Sequence, residues 1–163
     1  MKPVAASSAI AHVEGWALLL LLSVREVFQT MLRTKVAPVY EPASFLTLEW
    51  TAMVGLAGEL RGVVMVSCGE ASAVRIASKM LGLSLEKPDA QTPDALGELC
   101  NMIAGNFKHK LSGRNAHCAM TTPSVVTGKD YRIHRQESKA RESLHLTLTF
   151  EGAPVYISLE VQA

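Results

Sequence analysis

The sequence offers a partner almost no net charge: sixteen Lys and Arg stand against fifteen Asp and Glu, which leaves +1. No global field therefore draws the chain to nucleic acid or to anionic lipid, and a partner has to be recognised locally. Cysteine is scarce. Cys68, Cys100 and Cys118 are odd in number and far apart, with no CxxC, which argues against a disulfide framework and for a reducing, cytoplasmic compartment. A run long enough to cross a bilayer is missing as well. The segment WALLLLL, Trp16 to Leu22, lies between Glu14 and Arg25, about ten uncharged residues where a spanning helix takes roughly twenty. The expectation is no membrane insertion. A signal peptide is not expected either, because His12 and Glu14 interrupt the start and no small-residue cleavage site follows the apolar run.

The familiar catalytic signatures are absent too. There is no P-loop, no GxSxG and no dinucleotide fingerprint. The histidines at 12, 109, 117, 134 and 145 have no spacing that gathers ligands on one helix turn. A structural metal site needs four convergent donors, so no metal of its own is expected. Lys129, Arg132, Arg135, Lys139 and Arg141 make residues 129–141 basic, but Asp130, Glu137 and Glu142 are interspersed. That pattern fits a solvated loop better than a phosphate-tracking surface, so nucleic acid is not an expected partner.

What the chain does have is enough apolar matter for a core: 48% of its 163 residues are hydrophobic, within the usual size of one domain. Residues 1–15 read as a flexible N-terminal arm or a frayed helix start, and 16–163 as a single domain. Helical spacing runs from Trp16 to about Arg33, with Ser23, Glu26, Thr30 and Arg33 on one polar stripe and Val24, Val27, Phe28, Met31 and Leu32 on buried sides. Leu18 to Leu22 read as core or subunit interface. After the proline-bearing stretch KVAPVYEPAS, alternation in LTLEWTAMV, a turn at Gly58 and LRGVVMVS predict a hairpin. EASAVRIASKML is a second helix, with Gly82 placed as its C-cap. A third opens with Thr92 as N-cap and Pro93 at the first helical position, and runs to about Leu111. SVVTG and YRIH read as short strands. Leu144 to Phe150 and Val155 to Val161 alternate about a Glu151–Gly152 turn, the mark of a second hairpin. Helices and hairpins so segregated mean an α+β fold of long helices on antiparallel sheet. A long helix, an extended stretch and a hairpin occur twice, an internal pseudo-repeat.

The third helix carries the chemistry. At about 100° per residue, Leu96, Leu99, Cys100, Ile103, Phe107 and Leu111 share a core face, which leaves Cys100 buried and inert as a nucleophile. Asp94, Glu98, Asn101, Gly105 and Lys108 fall on the opposite side. One reading is a solvated face, with acids early and a lysine late in the helix to suit the macrodipole. Yet Gly97, Asn101 and Gly105 are poor interior choices, each glycine costing about 1 kcal/mol relative to alanine. Gly97, Ala104 and Gly105 would leave bare backbone beside Glu98 and Asn101, which fits close docking of a macromolecule. A carboxylate and a carboxamide three residues apart lie about 5–6 Å from one another at Cβ. The first can pair with a partner's lysine and the second can hold a water in line with a phosphorus, without titrating.

The run DALGELCNMIAGN at 94–106 resembles the D-x-x-x-E-x-x-N signature of the CheC/CheX phosphatases of bacterial chemotaxis. VFQTML at 27–32, LRGVVMVSCGEASAVRIASKMLG at 60–82 and Pro123, near the downstream proline of the family pattern, are similar to CheX. The resemblance implies a phosphatase that hydrolyses the aspartyl phosphate of a CheY-like response regulator. Asn101 would orient the water, Glu98 would pair with a regulator lysine, and Asp94 would support them. Gly97, Gly105 and Lys108 would belong to the partner-binding surface. The Mg2+ would be the regulator's, with no cofactor in this chain. The resemblance also implies a homodimer, and an edge strand of the terminal hairpin offers a way to extend a sheet between subunits. In CheC-like relatives two helices carry sites. Here helix one has only Glu26 and Gln29, a degenerate ExxQ, so one working site is expected. A reading of a different class is a non-catalytic docking module for a receiver domain or a flagellar-switch partner.

Overall fold

The computed structural model describes residues 5–40, 48–112, 117–129, 131–134 and 141–162, the side chains of 5–14 and 112 excepted. The elements are α1 (Ala5–Met31), β1 (Ala37–Pro38), β2 (Trp50–Gly58), β3 (Arg61–Cys68), α2 (Glu70–Leu81), α3 (Thr92–Ser112), β4 (Cys118–Met120), β5 (Ser124–Thr127), β6 (Arg141–Phe150) and β7 (Ala153–Gln162). Among the described residues the strands form one antiparallel sheet in the order β1-β6-β7-β3-β2-β4, with β5 also on β2.

Both hairpins follow from their alternation. In β7 Val155, Ile157, Leu159 and Val161 are buried while Tyr156 and Glu160 are partly open, and β6 pairs with it from Arg141↔Gln162 to Phe150↔Ala153. Glu151 (φ 48°) and Gly152 (φ 80°) both have positive φ, the type I′ turn whose twist suits a two-residue hairpin. The apolar faces of β2, β3, β6 and β7 join α1, α2 and α3 in one core, where Phe28 meets Phe150 edge-on at 5.5 Å. The result is a layer of helices on one face of a sheet.

The repeat seen in the order of elements becomes a symmetry of the sheet. The neighbours β3 and β7 pair antiparallel from Arg61↔Gln162 to Cys68↔Val155, with β2 and β6 outside them. The halves exchange their short strands: β1 lies on β6, and β4 and β5 lie on β2.

Several expectations are corrected. Helix one starts at Ala5 rather than Trp16, so it takes in most of the stretch read as an arm. Ser23 is buried, its hydroxyl donating to the Leu19 carbonyl at 2.7 Å, whereas Met31 is exposed. The leucine run divides: Leu20 is core, while Leu18 and Leu22 are 57% and 42% exposed. YRIH at 131–134 forms no strand; there Tyr131 bonds to the Thr51 hydroxyl at 2.5 Å. Arg141, assigned to the basic loop, begins β6 and lies 3.8 Å from Glu160. In the terminal hairpin β7 is central, while β6 pairs on its outer side with β1 only at Leu148–Thr149 among the described residues. Residues 46 and 47 of LTLEWTAMV and residues 135–140 of the basic loop lie outside the described residues.

Candidate functional site

The start of α3 is tied down by a neighbour in sequence rather than by the predicted cap. Asp89 accepts the N–H groups of Gln91 and Thr92 at 2.9 and 3.1 Å and the Thr92 hydroxyl at 3.1 Å, so Thr92 is the first helical residue and is buried. From there Leu96, Leu99, Cys100, Ile103 and Phe107 point into the core, as their spacing predicts. Cys100 lies 3.6 Å from the Ala52 carbonyl and 3.5 Å from that of Val64, and burial pushes its thiol up to about 12. It is no nucleophile at neutral pH.

On the other side Asp94 and Glu98 are exposed, and Asn101, Gly105 and Lys108 are half-buried. Among the described residues no hydrogen bond engages the Glu98 carboxylate or the Asn101 carboxamide, so both are available to something outside the chain. Asn101 is not on the crest of the helix. It lines an open groove of about 480 Å³, with Glu26, Val27 and Thr30 of α1 on one side, Met102, Gly105, Asn106 and His109 along α3, and Met120 of β4 beyond.

Two of the small residues have internal reasons. Gly97 is buried, and a Cβ there would meet Pro123 Cβ at 3.2 Å and Val125 Cγ2 at 3.5 Å. Ala104 is fully buried in the core. Neither presents bare backbone to a partner, which corrects the assignment of Gly97 to the docking surface. Gly105 differs, for a Cβ there would find only the end of Met120 at 3.9–4.0 Å. These two glycines stand one turn before and one turn after Asn101. The β4–β5 strand runs along that flank of α3, meeting Gly105 through Met120 and Gly97 through Pro123.

This strand is bulged. Its pairing with β2 steps from Leu56↔Met120 to Met53↔Ser124, one residue more on its own side, and residues 121–123 carry the excess. Thr121 N–H donates to the Gly55 carbonyl at 3.0 Å, and Gly55 N–H donates to the Thr121 hydroxyl at 2.8 Å. Bulges of this kind re-aim side chains beside functional sites. Residue spacing alone did not reveal the strand β4, the bulge or the contact at Gly97. The pairing of an interior glycine with a distant proline was the available signal.

In helix one the carboxylate of the ExxQ is engaged within the chain, unlike that of Glu98. Glu26 is bound to Lys110 of α3 at 2.6 Å, and the Lys110 bond and charge, helped by Asn106, hold its carboxyl below the usual 4.5. A carboxylate so engaged is not free for a partner's lysine. Gln29 is exposed beside a second groove of about 530 Å³ that Leu22, Arg25 and Lys35 also line. Among the described residues no group of three His, Cys, Asp or Glu side chains could hold a metal ion, and no helix is long and apolar enough to cross a membrane.

Residues 50–148 match the family model described as chemotaxis phosphatase CheX. The CheY-P phosphatase CheX of Thermotoga maritima is 33% identical over 82 residues, which is 50% of this chain and 53% of that protein, so the match spans about half of the relative's length. A CheC-like superfamily protein from Shewanella sp. PV-4 superposes with a TM-score of 0.78 at 25% identity, covering 91% of this chain and 97% of that one. The CheX of the CheX–CheY–BeF3–Mg2+ complex from Borrelia burgdorferi shares the fold, with a TM-score of 0.74 at 21% identity over 91% of this chain and 98% of that one. With the family model covering well over half of the residues, including the whole of α3, this chain is a member of the CheX family of chemotaxis phosphatases.

Proposed function

We propose that the protein accelerates hydrolysis of the aspartyl phosphate on a CheY-like receiver domain, with Asn101 and Glu98 as the acting side chains. The observation that carries this reading is the state of those two groups: one turn apart on α3, without a hydrogen bond among the described residues, and set on a helix whose capping, core face and flanking strand hold it in place. The relative named CheY-P phosphatase and the CheX bound to CheY with BeF3 and Mg2+ support the same reading.

An acyl phosphate has a carboxylate leaving group of low basicity, so the reaction needs little acid catalysis and much positioning. On docking, Asn101 would enter the receiver's phosphorylated site, its carbonyl oxygen accepting from a water and its amide donating nearby. The water oxygen attacks phosphorus in line. The bond from phosphorus to the aspartyl oxygen breaks, and inorganic phosphate and a free carboxylate remain. Glu98 would pair with a lysine of the receiver and fix the register of docking, a charge-assisted contact that strengthens as the interface excludes water. Mg2+ would belong to the receiver, and Asp94 and Lys108 would sit at the rim of the contact. We assign the protein to the cytoplasm, and as a homodimer, on the same reading.

The test is the decay of a phosphorylated receiver domain from the same genome with substoichiometric protein. Wild type should accelerate it. Asn101→Ala should abolish the acceleration by about a hundredfold or more, as loss of a positioning group does, and Glu98→Ala should act mainly through KM. Binding of a receiver with no acceleration by wild type would leave a docking module and refute the enzyme.

A further inference from the structure

The bulge at residues 121–123 has a feature that internal packing does not explain. Thr121 is held by two hydrogen bonds to Gly55, where a Cβ would come within 3.0 Å of its methyl group, and Pro123 lies over Gly97, where an added Cβ would come within 3.2 Å of the ring. Two glycines on two different elements thus clear space for one short link. Yet Thr121, Thr122 and Pro123 are all exposed. A segment immobilised at both ends and open to solvent between them is a fixed relief on the surface.

Its place along α3 is set by two contacts. Met120 reaches Gly105 and Pro123 reaches Gly97, which lie about 12 Å apart along a helix axis, and three residues of extended chain span about 10 Å. The link therefore runs alongside the helix past the turn that carries Asn101, in the direction opposite to the helix. The groove that Asn101 lines is bordered by Met120, the residue from which this link starts. The Thr122 side chain is exposed and makes no hydrogen bond among the described residues.

We infer that the Thr121–Pro123 bulge is a second contact surface for the phosphorylated receiver domain, with Thr122 touching the receiver's backbone beside its phosphorylation site. The inference rests on the function proposed above and adds a determinant outside the E-x-x-N turn. A neutral hydroxyl next to a proline ring suits an uncharged loop: the hydroxyl can donate to a carbonyl or accept from an amide, and the ring offers apolar surface. The pinning by Thr121 and Pro123 lowers the ordering cost of that contact.

The experiment compares Thr122→Glu, Thr122→Lys and Thr122→Ser with wild type and Asn101→Ala. It reads the Kd for a receiver loaded with Mg2+ and BeF3−, and kcat and KM on the phosphorylated receiver, after melting curves confirm that each variant is folded. Either charged substitution should raise Kd and KM about tenfold, because it buries a charge without a counterion. The kcat at saturation should hold, and Thr122→Ser should stay near wild type. Asn101→Ala should show the opposite split, with kcat lost and Kd kept. If both charged variants bind like wild type while wild type is an active phosphatase, the bulge lies outside the interface and the inference falls alone. A fall in kcat with KM unchanged also overturns it, since the link would then act through Asn101 rather than by contact. If wild type neither binds nor accelerates any receiver, the functional reading itself fails.

Discussion

Replacing each of the two glycines that flank Asn101 by alanine should give opposite results. Within a helix the change is worth up to about 1 kcal/mol in favour of alanine, where nothing obstructs the new methyl. At Gly105 the Cβ meets only the sulfur and methyl of Met120, at 4.0 and 3.9 Å, an ordinary contact with the end of a flexible side chain. Gly105→Ala should therefore raise Tm by about 2–4 °C for a chain of this size. At Gly97 the Cβ meets Pro123 Cβ at 3.2 Å. That ring cannot swing aside, and its strand is fixed by the Thr121–Gly55 bonds of 3.0 and 2.8 Å. Relieving such an overlap costs about 1–3 kcal/mol, which offsets or exceeds the helical gain. Gly97→Ala should lower Tm by about 2–4 °C. Paired thermal and urea unfolding of the two variants measures the difference. Equal stabilisation by both would refute the close approach of the bulge to α3 and, with it, the account of why a glycine precedes Glu98.

Other outcomes are open to measurement. Helix α2 begins at Glu70 after Gly69, which supplies no side-chain cap, and Glu49 from outside the helix accepts the Glu70 N–H at 2.9 Å; Glu49→Ala should cost about 0.5–2 kcal/mol in urea unfolding, the range for a lost cap. Burial pushes the Cys68 and Cys100 thiols up to about 12, so at pH 8 only about one in ten thousand is thiolate, and a thiol reagent should modify these two only as the protein unfolds; rapid labelling of either in the native state would contradict their place in the core. Lys110 and Asn106 hold the Glu26 carboxyl below 4.5. What that pair adds to stability is complete above the unfolded value and is lost as pH falls through the folded one, so the melting temperatures of wild type and Glu26→Gln should converge once the pH has fallen below the folded value, while the acceleration proposed for Asn101 and Glu98 stays unaffected at pH 7.

Periodicity was a good guide wherever one face of an element is buried and the other wet. The core side of α3, the alternation of β6 and β7 and the Gly82 cap (φ 65°, its N–H bonded to the Ser78 carbonyl) are local patterns of that kind. It misled where burial comes from elements distant in sequence. Gly97 read as bare backbone open to a partner, but the β4–β5 strand covers it. Ser23 belonged to a polar stripe, but it is buried and its hydroxyl donates to the Leu19 carbonyl of its own helix. Glu26 looked like half of a weak second site until Lys110, far along the chain, engaged it. Such features depend on register between remote segments, which a window of local sequence does not encode. The E-x-x-N turn was legible because both of its residues lie within one turn of a helix that is itself strongly patterned.

The exchange of short strands across the sheet has a consequence for the integrity of the chain. Each half lacks an edge that only the other can provide: β1 completes β6, and the β4–β5 strand completes β2. Topologically the molecule is a dimer of α-β-β-β units tethered by α2 and the loop 82–91. Cleaving that loop would leave two fragments, each with an incomplete sheet and uncovered apolar strands, that regain order only by reassociating. A single unit expressed alone would carry the surface to pair with a second copy of itself.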